Sequence, residues 1–340
     1  MRTPRLTVLL PVRNGLPHLQ EALDSLAAQT FQDFVTLVVD DGSDDGTREL
    51  LCRLQPRRVQ IVRTERAGLA TTLNRGLHMI DTPLVARHDA ADRSRPDRLA
   101  RQVAYLDAHP DVGLVATSVR YIDADGREVE NEWTKVVRRD IDPATSPAAI
   151  RALMPLTCCI THGSVMARRE LLLTGGGYRA AFAPAEDYDL WLRALPAWRF
   201  AKLPERLYEQ RVAGFESAAE PQAPQVLNRI RAQLGFARRA HPWLPAPAGL
   251  LVADDPGGSS YYHQLAREFW FVERARPAGA DDRADADART ARIADADWDL
   301  LAVTDVTTLP HYAAALAPAL RAGRIVQEGN LFLRHPEDLS

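Results

Sequence analysis

Along this chain, runs of consecutive apolar residues alternate with stretches in which apolar residues recur every three or four positions. The first run, LTVLLPV at 6–12, has no polar alternation, as a strand covered on both faces requires. Residues 17–29 follow with Leu19, Leu23 and Leu26 at helical spacing. A second run, FVTLVVDD (34–41), stops at GSDDGT (42–47), whose Ser, Asp and Gly are turn and cap residues, and a helix opens at Thr47. VQIVR (59–63) is a third strand, 68–80 a helix and PLVARHD (83–89) a fourth strand. A helix over 96–108 carries Leu99, Val103 and Leu106 on one face, VGLVATSVRYID (112–123) is another strand, and Asp125-Gly126 marks a hairpin turn. The pattern loosens over 130–155, then resumes with SVMAR (164–168), three glycines at 175–177 and a helix over 185–195.

Strand and helix in alternation with short loops predict an α/β fold with a doubly wound, mainly parallel sheet. Ligands of such sheets sit beyond the carboxyl ends of the strands. Pro11–Asn14, Asp40–Ser43 and Arg87–Asp92 should therefore converge, and the chemistry should lie there.

The regular pattern ends near 213, and prolines then space out the segments. The 340 residues divide into an expected catalytic domain at 1–215 and a smaller accessory domain at 216–340, mostly helical with a short strand pair. Two D-x-D spacings at Asp285/Asp287 and Asp295/Asp297 read as a solvated charged face. No internal repeat is present.

Composition narrows the function. With 46% hydrophobic and 26% charged residues the chain is globular, and a net charge of -3 gives no pull toward nucleic acid. Of 42 basic residues only Lys135 and Lys202 are lysine, which reflects Arg-rich usage more than phosphate binding. Cys52, Cys158 and Cys159 are too few for a disulfide framework and read as small buried hydrophobes. The apolar run near the start is too short for a signal peptide, so a cytoplasmic protein is expected. Neither G-x-G-x-x-G after the first strand nor G-x-x-x-x-G-K is present, which removes the usual dinucleotide and P-loop readings. The second strand ends instead in an acidic turn, Asp40-Asp41-Gly42-Ser43, suited to a base N–H or ribose hydroxyls, or simply to capping a helix.

The order of segments is more specific. VLLPVRNG (8–15), LDSLAAQTFQDF (23–34), LVVDDGSDDGT (37–47), GLATTLNRGL (68–77), ARHDAADRSRPDRLARQ (86–102), GGYR (176–179) and AEDYDLWLRAL (185–195) occur together and in register. In these segments, over roughly residues 5–213, the chain resembles glycosyltransferase family 2, inverting enzymes of the GT-A fold. The resemblance implies a UDP- or dTDP-sugar donor and a hydroxyl acceptor on a bacterial surface glycan, free or lipid-linked. Peripheral membrane association and a homo-oligomer are compatible with it. It places the nucleotide at Pro11, Arg13, Asn14 and Asp41, with Asp41 on the pyrimidine N3–H; Asp40 either joins them or shapes the turn. Asp89 falls on the donor side as the first Asp of the D-x-D motif. The second is Ala91 here, and a methyl group ligates no metal, so Mn2+ or Mg2+ would depend on Asp89 and Asp92.

Asp187 falls on the family's catalytic base, with Glu186 in support; read alone, the same acidic cluster is a helix start favoured by the helix dipole. Arg211 matches an Arg near the diphosphate, although the His that follows it in relatives is Ala213 here. Arg13, Arg87, Arg93 and Arg211 are the candidates to share the diphosphate's charge, and His162 reads as a structural histidine. The rival functions are a degenerate module that binds nucleotide-sugar or glycan without turnover, favoured by Ala91 and Ala213, and a nucleotidyltransferase, disfavoured by the loop VRNGLPH.

Overall fold

The computed structural model describes residues 3–54, 58–155 and 157–212, and beyond them five strands and single helical positions between 229 and 239. The elements run β1 (Leu6–Val12), α1 (Leu19–Ala27), β2 (Phe34–Asp41), α2 (Thr47–Leu54), β3 (Val59–Thr64), α3 (Leu69–Met79), β4 (Leu84–Arg87), β5 (Arg93–Ser94), α4 (Arg98–Ala108) and β6 (Val112–Ile122). Two short helices, α5 (Glu132–Val136) and α6 (Pro147–Leu153), fill the stretch where periodicity fails. Then come β7 (Met166–Arg168), α7 (Arg169–Leu173), α8 (Glu186–Ala194) and β8 (Arg199–Arg211).

These strands form one eight-stranded sheet in the order β3-β2-β1-β4-β7-β6-β8-β5. β1 pairs in parallel with β2 and β4, β2 with β3, and β6 with β8; β7 and β5 are antiparallel to their neighbours. The sheet is therefore mainly parallel with helices around it, as the periodicity predicts. The unbroken apolar run of β1 is buried at every position, because α1 and α3 close over it. β3, at the edge, is exposed at Gln60, Ile61 and Arg63. Each Leu or Val sealed in this core contributes about 1.5–3 kcal/mol.

The parallel register does the positioning. Val12 lies opposite Asp40 and Leu9 opposite Arg87, so β1, β2 and β4 end on the same edge of the sheet and deliver their loops together.

By internal contacts the chain divides into a unit of residues 1–153 and 158–219 and a second of 154–157 and 220–340. The second unit holds a five-stranded sheet, β9 (Gly249–Ala253), β10 (Phe271–Ala275), β11 (Leu300–Val303), β12 (Ile325–Glu328) and β13 (Leu331–Arg334), ordered β10-β9-β11-β13-β12. The expected strand pair is corrected to five strands. β12 and β13 form the antiparallel pair, and parallel β9, β10 and β11 extend it, a long-range pairing that local periodicity does not reveal. Asp285, Asp287, Asp295, Asp297 and Ala213 lie outside the described residues. The cysteine expectation holds only for Cys159; Cys158 is half-buried and Cys52 exposed.

Candidate active site

The β1 and β2 loops are stitched to each other by polar bonds. Asn14, at φ 51°, donates its backbone N–H to Ser43 Oγ (2.9 Å), and its side-chain oxygen accepts the Asp44 N–H (3.0 Å). Gly15 N–H donates to Thr47 Oγ1 (2.8 Å) and Leu16 N–H to Asp45 Oδ2 (3.0 Å). Asp40 is buried and accepts the Ser43 N–H (2.9 Å), so its carboxylate shapes the turn. Asp41 is buried too, and its two oxygens accept the N–H groups of Ala67 (2.8 Å) and Gly68 (2.9 Å), joining β2 to the start of α3. Pro11 is buried within β1, and Arg13 is exposed on the loop beyond it.

The β4 loop carries the acidic group. Arg87 is buried and sends one N–H to the His88 carbonyl and another to Asp89 Oδ1 (2.6 Å), while its Nε has no hydrogen-bond partner. Burial works against its charge, but the attraction and hydrogen bond of Asp89, with Tyr208 and Tyr178, together outweigh that cost and keep it a cation. Asp89 is part-exposed and presses on Gly163: a Cβ there would meet Asp89 Oδ2 at 2.8 Å and collide with the Tyr208 hydroxyl, so only glycine fits.

Tyr208, on β8, is the centre of this loop. Its hydroxyl accepts the Asp89 N–H (3.0 Å) and donates to Asp92 Oδ2 (2.7 Å). Asp92 Oδ1 accepts the Arg211 N–H (2.8 Å). Burial and then the charge of Asp89 push the Asp92 carboxyl up to about 7. Beneath the Tyr208 ring, 4.8 Å from its centroid, lies the guanidinium of Arg98. Arg98 is fully buried and bonded to Gln102, Ser94 and the carbonyls of Arg87 and Val165. Burial lowers it to about 10, which still leaves it charged at neutral pH.

Two sequence expectations change here. Asp92 is buried with both oxygens engaged, so it is not presented as a metal ligand. Arg211 spends Nε on the Ala91 carbonyl (3.0 Å), Nη1 on the carbonyls of Asp123 (2.7 Å) and Ala124 (2.6 Å), and Nη2 on Glu21 (2.7 Å). With its side chain 2% exposed, it clamps the 89–92 loop to β6 and α1 and has one N–H left for a diphosphate. Arg93 is likewise paired, with Glu209 (2.8 Å) and Glu21 (3.6 Å). Among the described residues no group of three or more His, Cys, Asp and Glu could hold a metal ion. The donor set, one part-exposed carboxylate already bonded to Arg87, does not fit a protein-built divalent site.

The start of α8 lies within electrostatic reach of Arg87. Asp189 is buried and held by Arg179 (2.9 Å from Nε) and Arg193 (3.0 Å), which fastens the GGYR turn to the helix and removes Asp189 from contention as a base. Glu186 is buried and raised by its burial, and its Oε2 has no partner. Asp187 is half-buried and accepts the Tyr188 N–H (2.7 Å). Burial, then the neighbouring Glu186, push it up to about 7, while Arg87 pulls the other way. A carboxylate poised near neutrality is equipped to take a proton. Tyr178 is fixed through its backbone by Asn74, which accepts the Tyr178 N–H (2.9 Å) and donates to its carbonyl (2.7 Å). The Tyr178 hydroxyl meets His162 Nε2 at 2.9 Å, and burial with the charge of Arg87 keeps this histidine neutral.

Tyr208, Arg98, Tyr178 and Asn74 went unmarked in the sequence. Arg98 does lie in the segment PDRLARQ, where an Arg and a Gln four apart on the core face of a helix are a readable sign of a buried polar cluster.

The mainly parallel sheet, whose β1, β2 and β4 loops gather acidic groups at one edge, matches the GT-A type fold implied by the sequence resemblance. The sequence profile described as Glycosyl transferase family 2 matches residues 7–174, and the chain belongs to that family. It is 30% identical over 200 residues to the amylovoran biosynthesis glycosyltransferase AmsE of Erwinia amylovora, covering 57% of this chain and 70% of that protein. It is 28% identical over 215 residues to the O-antigen biosynthesis glycosyltransferase WbnJ of Escherichia coli, covering 61% of this chain and 79% of WbnJ. Among solved structures, S. aureus TarS 1-349 in complex with UDP-GlcNAc superposes with a TM-score of 0.54 at 18% identity, covering 94% of this chain and 81% of TarS. The mannosyltransferase PcManGT of Pyrobaculum calidifontis, in complex with GDP-Man and Mn2+, gives 0.51 at 22% identity, covering 94% and 81%. These two likenesses show the fold.

Proposed function

We propose that the chain moves a sugar from a UDP- or dTDP-sugar to a hydroxyl acceptor with inversion, in bacterial surface glycan synthesis. Asp187 carries the reading: a part-exposed carboxyl raised to about 7 at the first turn of α8, under the influence of the Arg87 cation that also binds Asp89. In the transfer, the acceptor oxygen attacks the anomeric carbon and its proton passes to Asp187 Oδ. The bond from that carbon to the diphosphate oxygen breaks, and the nucleoside diphosphate leaves with the electron pair. Glu186, buried beside Asp187, raises its affinity for the proton. The rigid β1–β2 turn, with Asp41 at its edge, is the nucleotide's seat, and the surface-glycan context is supported by the names of WbnJ and AmsE. No helix among the described residues is long and apolar enough to cross a membrane. No step is assigned to a divalent ion.

A thermal-shift screen of nucleotide sugars tests the donor, because a ligand present at 100 times its Kd stabilises by about 2.7 kcal/mol. NMR of the product then tests inversion. Stabilisation by purine donors alone, or retention at the anomeric carbon, would overturn the reading. Ala91 favours a binding-only alternative, which multiple-turnover release of UDP would eliminate.

A further inference from the structure

We infer that this chain holds the donor's diphosphate without a divalent ion, and that the buried guanidinium of Arg87 supplies the positive charge at Asp89. The inference rests on the nucleotide-sugar reading above.

Four observations at one loop carry it. Position 91 is alanine, which brings no ligand atom to the loop between β4 and β5. The next carboxylate, Asp92, is turned inward: Tyr208 donates to one oxygen and the Arg211 backbone to the other, so recruiting it would break both of its bonds to β8. Asp89 then stands alone, its Oδ1 bonded to Arg87 at 2.6 Å and its Oδ2 packed on Gly163. At a nucleotide site a hard divalent ion is held by one or two carboxylates together with the substrate's own phosphates. One carboxylate already shared with a guanidinium is a poor competitor for it.

The fourth observation is the state of Arg87. Of its five N–H groups, one meets the His88 carbonyl and one meets Asp89, and its buried Nε has no acceptor. An unpaired donor on a buried cation is costly unless a ligand answers it. The planar fork of a guanidinium matches phosphate oxygens, and its charge needs no ion to be recruited. Of the other arginines named for the diphosphate, Arg93 is paired with Glu209 and Glu21, Arg211 keeps a single N–H beyond its bonds to the Ala91, Asp123 and Ala124 carbonyls and Glu21, and Arg13 is exposed on the β1 loop, where solvent weakens its charge. Among these four, Arg87 is the buried cation with the most donors unanswered.

The experiment is calorimetry on the full chain, titrating UDP, dTDP and UMP in EDTA and in Mn2+, and Mn2+ alone. For the wild type, UDP affinity in EDTA and in Mn2+ agrees within about twofold, well inside the effect of one charge-assisted contact. Ala91→Asp supplies the missing ligand and makes UDP binding Mn2+-dependent by about tenfold or more. Arg87→Met weakens UDP by about tenfold or more and UMP by much less, as loss of a contact to the outer phosphate requires. Arg87→Lys, which keeps the charge, restores part of that affinity and guards against a folding defect in the Met variant. Tightening of wild-type UDP binding by Mn2+ of about tenfold would overturn the inference and leave the nucleotide reading intact. So would an Arg87→Met protein, folded by its melting curve, that binds UDP as the wild type does. Failure of both UDP and dTDP to bind in every condition would remove the nucleotide reading and this inference with it.

Discussion

Asp187→Asn is the substitution that isolates the proposed proton transfer. Asn keeps the side-chain oxygen that accepts the Tyr188 N–H at 2.7 Å, so the first turn of α8 retains its bond. What it loses is the capacity to bind the acceptor's proton. A positioned general base contributes roughly 10²–10⁴-fold, and kcat should fall by that factor, equivalent to about 3–5 kcal/mol of barrier. Donor affinity should stay constant, because the base faces the acceptor. Stability provides an independent readout with a defined sign. Asp187 titrates at about 7 in the folded chain, against about 3.9 in an unfolded one. The folded state therefore holds the proton more tightly, and its stability declines as pH rises from about 4 to about 7. Asn carries no charge to bury, so the variant should melt above the wild type at pH 8 and together with it at pH 4. UDP release in the presence of acceptor, calorimetry of the donor and melting curves at the two pH values form the assay. Near-wild-type turnover in a folded variant would refute Asp187 as the base. Identical melting at pH 8 would refute the buried-charge argument behind it.

The pH–rate profile should climb through about 7 as Asp187 ionises, and a flat profile between pH 5 and 8 would contradict the assignment. Asp41→Asn replaces a carboxylate oxygen with an amide donor opposite the Ala67 and Gly68 N–H groups; UDP affinity should fall by about 1–3 kcal/mol in calorimetry, and unchanged affinity would remove Asp41 from the nucleotide site. Tyr208→Phe strips the hydroxyl that serves both the Asp89 N–H and Asp92; chemical denaturation should show a loss of about 1–3 kcal/mol, and no loss would mean that the 89–92 loop is held by Arg211 alone.

The fold of the first unit was legible because its signals are local. A seven-residue apolar run such as LTVLLPV, too short for a buried helix and closed by a polar turn, reads as a strand buried on both faces, and Leu19, Leu23 and Leu26 fall on one face of a helix. Once strands and helices alternate, parallel pairing follows, and parallel pairing brings the strand ends to one edge. The place of the site was thus readable before any side chain was located. The second unit was less legible, because its parallel strands are joined by pairings that no window of sequence contains.

Residue roles divided along the same line. Asp187, Glu186, Asp41 and Asp89 were marked by their chemistry and their motifs, and each lies in the site's loops or at the start of α8. Asp41 keeps its place in the β2 loop but spends a lone pair of each oxygen on the Ala67 and Gly68 N–H groups, while Asp92 and Arg211, marked by the same signals, proved to be engaged elsewhere. The hydroxyl that occupies Asp92 comes from 116 residues downstream, and the Arg211 backbone bond spans 119. Arg211's guanidinium reaches Glu21 across 190 residues. The sequence by itself determined which groups can ionise, which segments must be buried and where the strands end, since those depend on residue type and short-range periodicity. The tertiary structure decided which of those groups still had hydrogen-bonding capacity to offer a substrate. A donor or lone pair is consumed by whatever packs against it, and that neighbour is chosen by the global pairing of β5 with β8 and of β4 with β7.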